Sequence, residues 1–274
     1  MKNSASGSHP VREAFTLIEM LVVISIIAIL AALLLPALAG GSKNAKIKKA
    51  QIEMSQIVQA IQSYYQTYSR YPVSSNAMWV ATLNNDDITY GGTFFPPNVS
   101  VAGPITIQSP GVLLTNDEVI AVLMDLERYP NKNGDPTINL GHVKNPQGIK
   151  FLSAKMTDNP KLSGVGPDGV YRDPWGNPYI ISMDANYDDK CRDAVYRLQK
   201  VSQQSGASGF NGLFNSTDKD ATGTPTGVGD HFEFNGGVMV WSFGPDGKFN
   251  LTTDPNVPTI ANLSPNLDNV ISWK

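Results

Sequence analysis

The chain has 274 residues, enough for one or two domains, and 41% hydrophobic content, so the part outside any membrane segment can bury a core. A formal net charge of −3 leaves no basic surplus of the kind that nucleic-acid binding draws on. The single Cys191 excludes an internal disulfide, and a lone cysteine reads as a small buried hydrophobe.

Residues 1–14 are a polar leader carrying Lys2 and Arg12. From Met20 to Ala39 no residue is charged, and only Ser25 and Pro36 interrupt the aliphatic run. At ~1.5 Å per residue such a helix spans roughly 30 Å, about the thickness of a bilayer's hydrocarbon core. Glu19 abuts this run, and an ionisable residue there is a functional hypothesis by default; the plain alternative is an interfacial carboxylate with no special role. Cleavage after Ala37-Leu38-Ala39 would instead make the run an ordinary signal peptide. Lys43, Lys46, Lys48 and Lys49 follow it, and by the positive-inside tendency they argue for a cytoplasmic C-terminal side.

From Ala45 to Tyr68 apolar residues recur at spacings of three and four. Ala50, Met54, Ile57, Val58, Ile61, Tyr64, Tyr65 and Tyr68 form one stripe, and the tyrosines read as core rather than as a ligand platform. The expected object is one long helix, with Gly40-Gly41 as its only joint and Tyr71-Pro72 as its stop. Residues 72–110 read as loop with weak strands. Thr115-Asn116-Asp117-Glu118 has capping-box spacing and opens a second helix on Val119, Val122, Leu123 and Leu126, stopped by Pro130. Residues 131–150 read as loop, and Phe151-Leu152 as a short strand or turn.

Gly166-Pro167-Asp168-Gly169 predicts a turn before Asp173-Pro174-Trp175-Gly176-Asn177-Pro178-Tyr179, which leads into a strand at Ile180-Ile181-Ser182. Val238 to Phe243 reads as another strand, closed by a second Gly-Pro-Asp-Gly turn at 244–247. Residues 184–236, polar and glycine-rich, read as an insertion.

No catalytic constellation emerges, and the chain is expected not to be an enzyme. His9, His142 and His231 are far apart, and there is no zinc-type spacing, phosphate loop or nucleophile elbow. Asp184-x-Asn186-x-Asp188-Asp189 imitates the first half of an EF-hand loop, but it lacks the sixth-position glycine and has Val195 in place of the bidentate glutamate. Asp218 and Asp220 form a further sparse acidic pair.

Ala14-Phe15-Thr16-Leu17-Ile18-Glu19, between a polar leader and an aliphatic helix, resembles the processing site of type IV pilins and type II secretion pseudopilins. Phe15 matches the first mature residue, Glu19 the fifth, and Pro36 the helix-kinking twenty-second; Ala14 stands where the family has glycine. The Asp173–Tyr179 string, the 238–247 strand and turn, and the terminal Val270-Ile271-Ser272-Trp273 resemble the major pseudopilin.

The resemblance implies an α+β fold: a leader over 1–14, a long helix over 15–69 with a transmembrane part about 17–39, and a small antiparallel-sheet head over 70–274. A prepilin peptidase would cut between Ala14 and Phe15 and methylate the new amine. Glu19 would then dock the subunit by pairing with a neighbour's N-terminal amine, since two buried charges cost less together than apart. Implied partners are that peptidase, identical and related subunits, and an inner-membrane assembly platform, with no nucleic acid. The protein would cross the inner membrane once, leader cytoplasmic, its head periplasmic or extracellular after assembly. The family also holds calcium in its C-terminal loop, where Asp246, Asp254 and Asp268 lie. The implied role is a structural subunit of a pseudopilus or pilus-like filament. Alternatives are a minor or tip pilin for adhesion or DNA uptake, and a membrane-anchored exported protein that does not polymerise.

Overall fold

The computed structural model describes residues 15–84, 86–91, 112–113, 115–131, 133–248, 260–263 and 266–273; within these, side chains 34–40, 80, 83–84, 112–113 and 260 are left aside. The chain divides into two compact units, residues 1–45 and 46–274. Helix α1, Leu17–Tyr68, contributes to both. It is unbroken at Gly40-Gly41, and it ends where Ser69 turns to a positive φ of 51° ahead of Tyr71-Pro72.

In the first unit, every residue from 15 to 33 is exposed except the half-buried Ala31, and nearly all are apolar. A helix apolar on all sides is stable only inside a core or a membrane. Among the described residues no helix is long and apolar enough to cross a membrane. The expected span of 17–39 extends over residues 34–39, whose side chains lie outside the description.

The second unit is a three-layer α+β head. A central sheet has the order β11 (Val270–Ile271), β10 (Val238–Ser242), β5 (Ile180–Met183), β1 (Ile88–Tyr90), β2 (Val112–Leu113). Its pairings are antiparallel except β1 with β2, which run parallel, so the sheet is mixed rather than wholly antiparallel. In register, Val240 faces Ile181 and Trp241 faces Ile180.

Side chains alternate across the sheet with the period of two that a strand imposes. Ile181, Met183, Val238, Val240 and Val270 enter a core with Ala50, Met54, Ile57, Ile61 and Tyr64 of α1. Ile180, Met239, Trp241 and Ile271 enter a second core with Cys191, Val195, Tyr196, Val201, Leu213 and Phe232. The region expected to be a polar insertion is therefore the third layer, covering the back of the sheet. Most of its apolar residues point inward, with Tyr187, Phe214 and Val228 as exposed exceptions, while turns carry the rest. Three two-stranded ribbons add to the head. These are β3 (Gly164–Val165) with β4 (Tyr171–Arg172), β6 (Lys190–Cys191) with β9 (Phe234–Asn235), and β7 (Gln203–Ser205) with β8 (Ser208–Gly209).

Three further expectations are corrected. Residues 72–110 contain helix α2, Ser75–Asn84, and strand β1, while residues 92–110 lie outside the description. Helix α3 is Asp117–Leu123, capped at Asn116 without a side-chain bond, so the expected Thr115–Glu118 capping box does not form. Both side chains of that region are used elsewhere. Glu118 accepts a hydrogen bond from the Tyr90 hydroxyl. Asn116, fully buried, donates to the carbonyls of Tyr171 and Tyr179 and accepts from the Tyr171 amide. It thereby fastens α3 to the turn between β4 and β5. Phe151-Leu152 forms no strand, although Leu152 enters the core and its amide donates to Leu123.

Candidate processing and assembly site

The start of α1 carries the geometry that matters. Thr16 precedes the first helical residue, and Glu19 sits three residues on. The Glu19 carboxylate accepts from both the Thr16 amide and the Thr16 hydroxyl at 2.8 Å, while the Glu19 amide donates back to Thr16 Oγ1 at 3.3 Å. This is a reciprocal capping box, satisfying amides that a helix start leaves orphaned. The sequence offers the same Thr-x-x-Glu spacing twice, at 16–19 and 115–118, and only the first forms the box. Both its residues are exposed, so no packing competes for their side chains.

Phe15 stands just outside the box, 82% exposed. Ala14, the other side of the expected cleavage bond, lies outside the described residues. Pro36 falls within the span of α1, but its side chain lies outside the description, as does the expected kink. The arrangement offers an exposed, ordered helix start whose carboxylate lies one turn from the chain end that cleavage would create.

Residues 11–35 match the prokaryotic N-terminal methylation motif. The N-terminal segment is prepilin-like. The matched stretch includes Ala14, Phe15, Thr16 and Glu19, so motif and capping box coincide. No curated protein and no solved structure matches the chain.

In the head, the aspartate of the Asp173–Tyr179 string is fully buried. It accepts from the amides of Trp175 and Asn177 and from the Ser242 hydroxyl. Burial pushes its carboxyl up, opposed by those bonds. Tyr179, at the end of the string, donates to Glu53 of α1 at 2.6 Å, tying the sheet to the helix. Burial, with the Glu53 charge second, raises its phenol strongly. Trp175 is only partly buried against the core.

The expected calcium ligands are brought together in part. The Asp246 amide donates to Asp268 Oδ2 at 3.3 Å, so these two residues are neighbours, whereas Asp254 lies outside the described residues. Among the described residues no group of three or more His, Cys, Asp or Glu could hold a metal ion. Of the three expected ligands, the described residues include only Asp246 and Asp268.

The other acidic clusters serve as local scaffolding. Asp184 accepts the amides of Asp188 and Asp189 and so closes its own loop. Asp218 accepts from Asn215 and pairs with His231; burial raises its carboxyl, but those partners outweigh it and hold it below the usual range. Asp220 holds a turn through Thr222 and Thr224. Missed in the sequence is Asp193, fully buried and accepting from Ser182, Trp241 Nε1 and the amides of Val195 and Tyr196. Nothing in its local spacing marks it, because two of its partners lie on β5 and β10.

Proposed function

We propose that this chain is a structural subunit of a pilus-like filament, closest in kind to a type II secretion pseudopilus. In this reading a prepilin peptidase cleaves it before Phe15 and methylates the new amine. The observation that carries the reading is an exposed apolar helix whose start is a capping box inside the methylation motif. Lipid gives little hydrophobic drive between helices, so association in the membrane rests on packing and polar pairing, and Glu19 is the polar group at hand. Its carboxylate already accepts from Thr16. A neighbour's amine would join that acceptor instead of facing a bare charge.

The test separates capping from docking. Glu19→Gln preserves a capping-box residue but removes the charge, and it is expected to keep the helix start while losing filament incorporation. Thr16→Ala breaks the box but keeps the charge, and it is expected to fray the first turn while still entering pelletable filaments. Mass spectrometry of the native-membrane protein should show a mature start at Phe15 with one added methyl. An unprocessed start, or normal filaments from Glu19→Gln, refutes the reading.

A further inference from the structure

The tyrosines at the end of α1 do not share one environment. Tyr64 is buried and meets Tyr68 and Phe151 at steep ring angles of 56° and 74°. Tyr65, one residue on, joins Tyr71 and Tyr187 in a separate group. Its ring centroids lie 4.9, 5.8 and 6.2 Å apart, and all three interplanar angles are 30–32°. Tyr71 is buried beneath, whereas Tyr65 is 37% and Tyr187 44% exposed. A group of rings tilted by about 30° from one another, with two members at the surface, is a twisted aromatic step.

Tyr187 is held there at a backbone cost. Its φ is +61°, a region that bulky side chains avoid and that Asn or Gly fills readily. The loop is fixed from within by the Asp184 carboxylate, which accepts the amides of Asp188 and Asp189. Around the step stand hydrogen-bonding groups: Asn186 and the exposed Asp188 and Asp189 on the loop, and Gln62 and Ser69 one helical turn either side of Tyr65.

We propose that Tyr65 and Tyr187 form a binding platform for a neutral saccharide. The apolar C–H face of a pyranose ring lies against an aromatic face, and its hydroxyls donate to carboxylate and amide oxygens at the rim. The exposed Asp188 and Asp189 beside Tyr187 disfavour phosphate-bearing or acidic ligands such as nucleic acid. The preformed loop lowers the ordering cost of binding. This inference does not depend on filament assembly.

The test uses the full chain in a detergent without a sugar head group. It is titrated calorimetrically with cellohexaose, chitohexaose and maltohexaose. At least one is expected to bind, with affinity falling by about tenfold or more in Tyr65→Ala and in Tyr187→Asn. Tyr65→Phe and Tyr187→Phe, which keep the ring faces, should retain binding. Asn accepts the positive φ, so Tyr187→Asn should melt as the parent does, separating loss of the ring from loss of the fold. Three outcomes overturn the proposal. None of the three saccharides binds; the double variant Tyr65→Ala with Tyr187→Asn still binds; or that double variant changes only self-association, which makes the step an interface between copies of this chain.

Discussion

Asp193 is the residue whose loss should most clearly reveal how the back layer is attached. Its two oxygens receive four hydrogen bonds: Ser182 Oγ at 2.7 Å, Trp241 Nε1 at 3.0 Å, and the amides of Val195 and Tyr196 at 2.9 Å each. Asp193→Ala removes all four acceptor contacts in a site with no solvent exposure. Ser182 retains a partner in Thr89 Oγ1, so three donors lose the acceptor that Asp193 supplies. At about 1–3 kcal/mol for each unsatisfied buried donor, and with partial relaxation, the loss should be about 3–5 kcal/mol. That is a large share of the roughly 5–15 kcal/mol that stabilises a typical domain. The assay is urea unfolding combined with native-state hydrogen exchange. The Val195 and Tyr196 amides should lose protection first, while those around Ile57 and Ile61 keep theirs, because the helix-facing core is built from other residues. A loss under about 1 kcal/mol with the two amides still protected would refute the reasoning.

Other outcomes follow from the same structure. Asn116→Ala strands the Tyr171 amide and the Tyr179 carbonyl, while the Tyr171 carbonyl keeps the Tyr179 amide as donor, so it should cost about 2–4 kcal/mol by thermal or urea unfolding. His142 Nδ1 donates to Asp125 Oδ1 at 2.8 Å, with Glu127 at 3.5 Å, and the Asp125 bond raises its pKa above 6.5. Its contribution is therefore complete below 6.5 and is lost as pH rises through the higher folded value. The melting-temperature gap between parent and His142→Gln should be widest in mild acid and should close in mild alkali; a gap independent of pH counts against the pair. Gly244 has φ +70°, and a Cβ there would lie 2.1 Å from the Asp268 carbonyl oxygen. Gly244→Ala should cost about 1–3 kcal/mol and displace β11, seen as loss of protection at Val270 and Ile271.

The sequence by itself determined the long helix, because an uncharged run followed by a three-four stripe admits little else. It also singled out Phe15 and Glu19 as candidates, because the motif they belong to lies within a short stretch of chain. Strands β5 and β10 and both Gly-Pro-Asp-Gly turns were legible for the same reason: each is set by neighbours along the chain. Only the tertiary structure decided which Thr-x-x-Glu became a capping box. At 115–118 the sheet claimed Asn116 and Glu118, while at 16–19 nothing did. Only it could turn residues 184–236 from a polar insertion into a third layer. The apolar residues there are too sparse to show a period, and they become a core when strand alternation presents Met239 and Trp241 to them. The tyrosines make the same point most sharply. Tyr64 and Tyr65 are adjacent and chemically identical, yet one is buried and the other exposed, since a helix turns about 100° between neighbours and the head covers one side.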